Sequence, residues 1–278
     1  MAPPCLTKIP ACARVCEYST PCRTVGRCGT QFGDNNRKKL FMFATAVAFV
    51  AMIFTATAVG GVTSDASVLK NVYWAKGTGT LTVEVNGAML EQKFTSYIGL
   101  NMQVVEVEMD GVTIFAAATE WSDLSCVEVQ CEDCKNAAGA MVTGAILGLI
   151  TMIPTIQTDI QRSQSKWDMN CQKTVAQFMA NGVGLLASLM SLSTFASGCY
   201  RNLPSSIAAC NEEAGVCGTA TDAEWSLGPG FILILIATLL KIVDGVVHAL
   251  VPTPPHCSDP QAAATGSGLP AQAMMETP

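Results

Sequence analysis

The sequence has little charge for its length. Only 14% of its 278 residues are charged and half are hydrophobic, whereas about a quarter of a typical soluble domain is charged. A composition so poor in charge argues against a soluble enzyme and is typical of a membrane protein. The net charge of -6, with no basic cluster after residue 39, argues against a nucleic-acid partner, which would need a basic surface.

Sequence motifs for catalysis and for cofactor binding are also missing. The chain has only two histidines, His248 and His256, and it lacks HExxH, a Walker loop and G-x-G-x-x-G after a strand. No Ser, His and Asp set has a recognisable context. We therefore predict no enzyme activity, no cofactor and no metal site. Because no N-x-S/T sequon is present, glycosylation gives no indication of the compartment.

The sequence does contain four apolar segments of about 20 residues, the length that crosses a bilayer as a helix. These segments cover residues 40–62, 136–156, 174–197 and 228–251. Pro154 lies near the end of the second segment, where a helix can break. A signal peptide is the alternative for the first segment, but a leader of 39 residues favours a retained anchor.

Two of these segments carry small residues at every fourth position. Such stripes let two helix backbones approach closely in lipid. We therefore predict that the second and third segments pack together, as the short connector 157–173 also favours. The small residues are Ala140, Gly144 and Gly148 in the second segment, and Ala176, Ala180 and Gly184 in the third.

Lysine and arginine are distributed unequally between the two sides of the membrane. Residues 1–39 hold seven of them and the connector 157–173 holds three, whereas the loops 63–135 and 198–227 hold four and one. The tail 252–278 has none, and its composition predicts disorder. The positive-inside rule predicts that both termini and the connector are cytosolic and that both loops are extracellular or lumenal. We favour the plasma membrane, with an endomembrane or organelle membrane as the alternative.

The first loop changes from helical to strand-like periodicity. Residues 80–85 and 105–109 alternate between apolar and polar side chains, and the turn dipeptides Asn86-Gly87 and Asp110-Gly111 follow them. This pattern predicts two hairpins, with a possible extra strand at 68–75. The expected result is a small antiparallel sheet of four or five strands.

Six cysteines would lie on the oxidising side, three in each loop. An odd number in each loop predicts at least one disulfide between the loops if all are paired, although six cysteines allow 15 pairings. Cys210 with Cys217 is a natural local closure. Half of a zinc site at Cys131-x2-Cys134 is the alternative. The six are Cys126, Cys131 and Cys134 in the first loop, and Cys199, Cys210 and Cys217 in the second.

The amino-terminal tail, residues 1–39, is rich in Pro, Arg and Cys. We interpret it as a cytosolic tail with reduced thiols, some of which could be acylated near the bilayer. Zinc binding and a removable targeting segment are the alternatives. Its cysteines are Cys5, Cys12, Cys16, Cys22 and Cys28.

The fourth segment carries Lys241, Asp244 and His248 on one helical face. Ionisable residues inside a membrane suggest a functional site. We predict instead a structural Lys241–Asp244 pair with His248 near the cytosolic headgroups, because no other segment offers an acid or base at depth. The alternative is an ion or proton relay in which Asp244 exchanges the proton. Trp74 and Trp225 are expected to anchor the bundle at the membrane interface.

Residues 136–142, NAAGAMV, and Trp74 after the first segment resemble positions of the claudin-type tetraspan superfamily, which includes claudins and the peripheral myelin protein group. Gly99 and Leu100 echo the family's G-L-W-x-x-C motif, although its Trp and Cys are absent here. The resemblance implies an all-helical four-span membrane bundle with a small extracellular antiparallel β-sheet. It also implies a role in adhesion, at a cell junction, or as an auxiliary subunit.

The sequence thus predicts a multi-pass membrane protein that acts by protein–protein contact. Its expected partners are the lipid bilayer and either other membrane proteins or further copies of itself. The alternative function is a small transporter or channel that uses the intramembrane residues Lys241 and Asp244.

Overall fold

The fold is known from a computed structural model. It describes residues 36–85, 88–109, 111–121, 129–164, 170–203, 205, 207–211 and 216–252. The five cysteines of the amino-terminal tail, Cys126 and the Asn86-Gly87 turn lie outside the described residues. So does the tail from residue 253 onward.

Four helical rods in the described chain are long and apolar enough to cross a membrane, which confirms the four helical segments predicted from the sequence. The first rod is helix α1, which continues as a 3-10 turn. The second consists of α3 and α4, separated by Thr151. The fourth is α7. Their bounds are Arg37–Val59 for α1 and Gly60–Val62 for the turn, Val129–Ile150 for α3, Met152–Ser163 for α4, and Pro229–Leu250 for α7.

The third rod is irregular because α-helical and π-helical stretches alternate along it. It begins with α5, ends in a 3-10 turn and contains α6 between two π-helices. π-Helical stretches of this kind are uncommon and are often found at functional sites. In chain order the stretches are α5 Asn170–Gln177, a π-helix Phe178–Gly184, α6 Leu185–Thr194, a π-helix Phe195–Cys199 and the turn Tyr200–Asn202.

The second rod is longer than the sequence predicted. Its predicted end was residue 156, but α4 continues to Ser163. Pro154 does not stop the helix because it lies in the first turn of α4, where a missing N–H and a fixed φ are tolerated. Asp159 and Arg162, which the prediction placed in the polar connector, therefore belong to the helical bundle.

One antiparallel sheet of six strands lies beside the rods, in the order β4-β3-β2-β1-β6-β5. The two predicted hairpins, β1–β2 and β3–β4, are present. The sheet is larger than expected because the second loop adds β5 and β6, for which no strand was predicted. The strands are β1 Ala75–Val85, β2 Ala88–Ile98, β3 Met102–Met109, β4 Val112–Glu120, β5 Ile207–Asn211 and β6 Val216–Leu227.

The possible extra strand at 68–75 is wrong, because most of that segment lies in the helix α2, Ala66–Val72. Asp65 caps this helix by accepting a hydrogen bond from the backbone N–H of Ser67 at 2.8 Å. Leu69 is fully buried against β3, and the Lys70 ammonium donates to the Glu106 carboxylate of the same strand. The helix thus covers one face of the sheet near the rods.

The second and third rods are in backbone contact at a glycine. A Cβ atom placed on Gly144 would lie 2.5 Å from the carbonyl oxygen of Ala187, so only glycine allows this approach. Gly148, one turn further on, lies beside Ser188 in the same way. Ala140 is half-buried, Ala176 is buried, and the side chain of Ala180 lies outside the described residues.

The sheet joins the rods without a flexible linker. The backbone N–H of Trp74 donates to Ile98 O at 2.7 Å, and Gly228 N–H donates to Trp74 O at 2.8 Å. Leu100, in the β2–β3 connection, donates from its backbone N–H to Gly61 O at 2.9 Å. The start of β1 is therefore bonded to β2 and to the start of the fourth rod, while the β2–β3 connection is bonded to the end of the first rod.

Trp74 lies at the centre of this junction and is fully buried. Its indole packs edge-on against Phe195 and Phe231, and its Nε1 donates to Ala58 O at 3.1 Å. The expectation that Trp74 anchors the bundle at the lipid interface is therefore wrong. Its indole N–H is satisfied inside the protein and does not reach the headgroups.

Candidate functional site

A disulfide joins Cys134, near the start of α3, to Cys199, near the end of the third rod, with an S–S distance of 1.97 Å. It is a bridge between the two loop groups, as the odd number of cysteines in each loop predicted. Both residues are buried. Cys131 lies one turn earlier on α3, and Cys210 and Cys217 are directly opposite each other in the β5–β6 ladder.

At the opposite end of the bundle, five ionisable side chains are buried together. We call this end the tail side, because α1 begins there and α7 ends there; the other end is the sheet side. Each of the five exposes no more than 2% of its surface. This polar cluster consists of Asp159 and Arg162 from α4 and Lys241, Asp244 and His248 from α7.

Lys241 is held by oxygen atoms of the second and third rods. Its Nζ donates to Ser188 Oγ at 2.8 Å, to Gly148 O at 2.9 Å and to Gly184 O at 3.3 Å. Gly148 helps to make this possible, because its missing side chain leaves room for the ammonium group. The predicted Lys241–Asp244 pair is thus wrong: Lys241 turns toward α3 and α6, and Asp244 turns toward α4.

His248 links the two buried aspartates to Arg162. Its Nε2 lies 2.7 Å from Asp159 Oδ1 and 3.8 Å from Asp244 Oδ2. Its Nδ1 lies 2.6 Å from Arg162 Nη1. Because a guanidinium group only donates, Nδ1 must be the acceptor, and the neutral ring then carries its hydrogen on Nε2.

Asp159, Asp244 and His248 place one ligand atom each within 4.8 Å of the others, a spacing that a bound metal ion could bridge. The contact with Arg162 argues against such a site. With Nδ1 accepting from the guanidinium, Nε2 holds the hydrogen and has no lone pair for a metal. The arrangement favours a hydrogen-bonded cluster, and the absence of a metal site stays a prediction.

Helix α1 covers the polar cluster with an aromatic ring. The Arg162 guanidinium lies over the Phe41 ring, 4.7 Å from its centroid, within the range of a cation–π interaction. The rings of Phe41 and His248 have centroids 5.5 Å apart. His248 is fully buried beneath this ring in the last turn of α7, and its depth near the cytosolic headgroups stays a prediction.

Cationic side chains from the other rods bind the carboxyl end of α7. Arg162 Nη2 donates to Val251 O at 3.0 Å, Lys173 Nζ reaches the same oxygen at 3.4 Å, and Arg37 donates to Pro252 O. Carbonyl groups at the end of a helix lack partners within it and carry a partial negative charge. These contacts tie the first, second and third rods to the end of the fourth.

Sequence reasoning missed Asp159 and Arg162, although a signal for them exists. Met152, Thr155, Asp159 and Arg162 are all buried, and they recur at helical spacing along one face of α4. The helix continues through a proline and a polar stretch, and both features suggested a loop. Extending the helical period past Pro154 would have placed both charges on the buried face.

The sheet side of the bundle has a different interior. Its largest buried cluster is apolar and includes Trp74, Met141, Phe195 and Ile234. Among the described residues of the rods, the buried ionisable side chain nearest to the sheet side is Lys241. The polar cluster therefore does not continue through the bundle toward the sheet.

A second feature lies at the far end of the sheet, around the two hairpin turns. Met89, Leu90, Met109 and Val112 expose 70%, 42%, 44% and 65% of their surfaces, and we call them the tip patch. Phe94 and Val107, the next register pair inward, expose only 3% and 4%. The apolar surface thus changes from covered to uncovered within a few residues.

Three members of the tip patch share one face of the sheet. Met109 and Val112 are register partners across the β3–β4 turn. Gln92 donates to Met109 Sδ at 3.4 Å, so Leu90, two residues before Gln92, points to the same face. Met89 points to the other face, at the rim.

Comparisons of the chain with known protein families and with curated proteins find no match. Within the described chain, the polar cluster and the tip patch are the two features that suggest a function.

Proposed function

We propose that this is a multi-pass membrane protein that acts by protein–protein contact, with the tip patch as its binding surface. The observation that carries the proposal is the exposure of four large apolar side chains at the end of the sheet. Exposed apolar groups of this kind mark interaction sites in folded proteins. The proposed activity is binding, without catalysis.

Lipid accounts for the exposed apolar residues of the rods but not for the tip patch. Strand β1 leads away from the rods for 11 residues, which is about 35 Å at about 3.3 Å per residue. Among the described residues away from the rods, the other large exposed apolar side chains are Val68 and Leu227. Both lie within six residues of a rod in the chain, so among the described exposed apolar side chains only the tip patch is far from the rods.

The architecture that the claudin-type resemblance implies also supports the proposal. Four candidate spans and an antiparallel sheet beside them support it, because the resemblance implies four spans and a small sheet formed by the first loop. We place the sheet outside the cell and the tail side in the cytosol, with the plasma membrane as the location. The proposed partner is another membrane protein or a second copy of this chain, in adhesion, at a junction, or in a complex with an auxiliary role.

Introducing a positive charge into the tip patch tests the proposal. Val112→Lys would place an ammonium group in the patch, and Thr113→Lys is the matched control, because it adds the same charge one residue further on, on the opposite face. Proximity labelling in the native membrane would identify neighbours of the sheet. Clustering of vesicles that carry the protein with its sheet outward would report contact between copies.

We expect Val112→Lys to lose neighbours or vesicle clustering that both the wild type and Thr113→Lys retain. Both variants should keep the melting temperature of the wild type, since both positions are exposed. Identical neighbours and identical clustering in all three proteins would rule out the tip patch as the binding surface.

A small transporter or channel is the second candidate, and one observation favours it. Asp159 and Arg162 bring ionisable groups of a second rod to Asp244 and His248, whereas the sequence had suggested only one such helix. The apolar sheet-side core argues against a continuous path. Proton-coupled flux into reconstituted vesicles, abolished by Lys241→Met or Asp244→Asn in a folded protein, would favour transport over contact.

A further inference from the structure

Two carboxyl groups from different rods lie close together in the polar cluster, with one oxygen of each within 4.8 Å of the other. Asp159 and Asp244 expose 0% and 1% of their surfaces. None of their four oxygen atoms has a hydrogen-bond partner among the described residues, although Asp159 Oδ1 lies 2.7 Å from His248 Nε2. A buried polar group without a partner is rare and calls for an explanation.

Neither buried cation neutralises the two carboxyl groups by direct contact in the described chain. Arg162 directs its guanidinium to His248 Nδ1 and Val251 O. Lys241 directs its ammonium to three oxygens of the second and third rods. Two ionised carboxylates at close range in a medium of low dielectric constant repel each other strongly, so such pairs bind a proton between them.

The position of the His248 hydrogen favours ionisation of one of the two aspartates. Arg162 donates to Nδ1, so Nε2 carries the hydrogen, and the carboxyl oxygen nearest to it is Asp159 Oδ1 at 2.7 Å. The positive end of the Nε2–H group therefore lies closest to Asp159 and favours its ionised form. Asp244 Oδ2 lies 3.8 Å from the same nitrogen, beyond hydrogen-bond distance. Asp244 thus receives no hydrogen from His248.

We propose that Asp244 carries a bound proton that it shares with ionised Asp159, and that this pair is a proton-binding site on the tail side of the bundle. The resulting chain of donors runs from Arg162 through His248 to Asp159, which also accepts from Asp244. Each member then has a donor or acceptor role that its chemistry allows. The site binds a proton and does not require a metal ion.

Among the described residues, the groups packed around the pair supply no further acid. From α1, Phe41 covers the cluster and Arg37 binds Pro252 O. From the third rod, Lys173 reaches Val251 O and Ser188 accepts from Lys241. Among the described side chains of the four rods, the acids at this depth are Asp159 and Asp244. The bound proton therefore belongs to this pair.

Infrared spectroscopy of the purified full-length protein tests the proposal directly. A protonated carboxyl group has a C=O stretching band that an ionised carboxylate lacks, and aspartate labelled with 13C in its side-chain carboxyl group shifts that band for Asp but not for Glu. We expect a label-sensitive band at neutral pH in the wild type. It should disappear in Asp244→Asn and persist in Asp65→Asn, which changes an exposed carboxylate on the sheet side.

If the folded wild type lacked the label-sensitive band, that result alone would overturn the proposal. Persistence of the band at wild-type intensity in Asp244→Asn would also overturn it, because the proton would then belong to another residue.

Melting temperatures give an independent test, because an asparagine amide can donate where the proton is proposed to be. Asp244→Asn should keep a donor to Asp159 and melt within a few degrees of the wild type. Asp159→Asn should melt lower, because it removes the ionised acceptor of His248. The reverse order of melting temperatures would contradict the assignment of the proton to Asp244.

A metal site is the competing explanation, and the same protein distinguishes it. If Zn²⁺ or Mn²⁺ raised the melting temperature of the wild type but not that of Asp244→Asn, and the carboxyl band were absent, the pair would be a metal site. The proton proposal would then fail. Neither result bears on the tip patch, so the proposed binding function is tested separately.

Discussion

The sheet side and the tail side of the bundle connect the same four rods by different chemistry. On the sheet side, the rings of Trp74, Phe195 and Phe231 pack together, and Cys134 is bonded to Cys199. On the tail side, buried charged and polar groups connect the rods. In lipid, apolar helix surfaces gain little by leaving the solvent, so association depends on close packing and on hydrogen bonds between helices. The sheet side depends mainly on the first means and the tail side mainly on the second.

This difference predicts different responses to mutation. Close packing loses stability in proportion to the atoms that are removed and the cavity that is left. A buried polar network depends on complete pairing, and removal of one member leaves its partners uncompensated. Substitutions at the two ends therefore test this contrast.

Trp74→Ala should have the largest effect, a loss of about 5 kcal/mol or failure to fold, because it empties the centre of the junction. Trp74→Phe is the control, since it keeps an aromatic ring but loses the hydrogen bond to Ala58 O. Thermal unfolding in mild detergent would measure both. If Trp74→Ala melted no lower than Trp74→Phe, the packing explanation for the sheet side would be wrong.

Arg162→Met should cost about 3 kcal/mol, because it leaves His248 Nδ1 without its donor and Val251 O with only the longer Lys173 contact in a buried site. The methionine keeps apolar contact with Phe41, so lost volume is a minor part of the effect. Ser163→Ala, at an exposed hydroxyl of the same helix, is the matched control. Equal melting temperatures for the two variants would remove the distinction between the ends of the bundle.

Gly144→Ala should cost about 1–3 kcal/mol by forcing the second and third rods apart. Gly139→Ala on the same helix is the matched control, because an added Cβ there meets no atom within 4 Å. That change should be neutral or should stabilise the helix by about 0.5–1 kcal/mol. A similar loss in both variants would show that helix propensity, and not interhelical contact, is being measured.

Glu106→Gln should have the smallest effect, less than about 1 kcal/mol, because the Lys70 side chain is 38% exposed. The hydrogen bond to Glu106 raises the pKa of Lys70 above its ordinary value. Its contribution to stability is therefore complete below about pH 10 and declines as the pH rises through the raised pKa. This alkaline decline should disappear in Glu106→Gln and persist in Glu108→Gln, as denaturant unfolding across pH would show.

The parts of the fold that follow from regular periods were predictable from the sequence. The four rods follow from long apolar segments, and the β1–β2 and β3–β4 hairpins follow from strict alternation around turn dipeptides. The bridge between Cys134 and Cys199 belongs to the class that the odd counts of cysteine predicted. Each of these depends on the composition of a segment or on the order of neighbouring residues, and both can be read directly from the sequence.

The remaining parts depend on contacts between distant segments. Strand β6 has a residue with positive φ, Asp222, opposite an irregularity of register between Thr78 and Thr80, so its alternation is interrupted. The partners of Lys241 are mainly backbone carbonyls, and no residue pattern marks a carbonyl as an acceptor. Asp159 was missed because a proline obscured the continuation of the helix.

The junction around Trp74 also has a mechanical consequence. Strand β1 begins one residue after Trp74, and β6 ends one residue before Gly228, whose backbone N–H is bonded to Trp74 O. With no slack between sheet and rods, the sheet acts as a lever arm of about 35 Å. A sideways pull on the tip patch would therefore exert a torque on the first and fourth rods, and a partner bound there would tilt or brace the bundle as a whole.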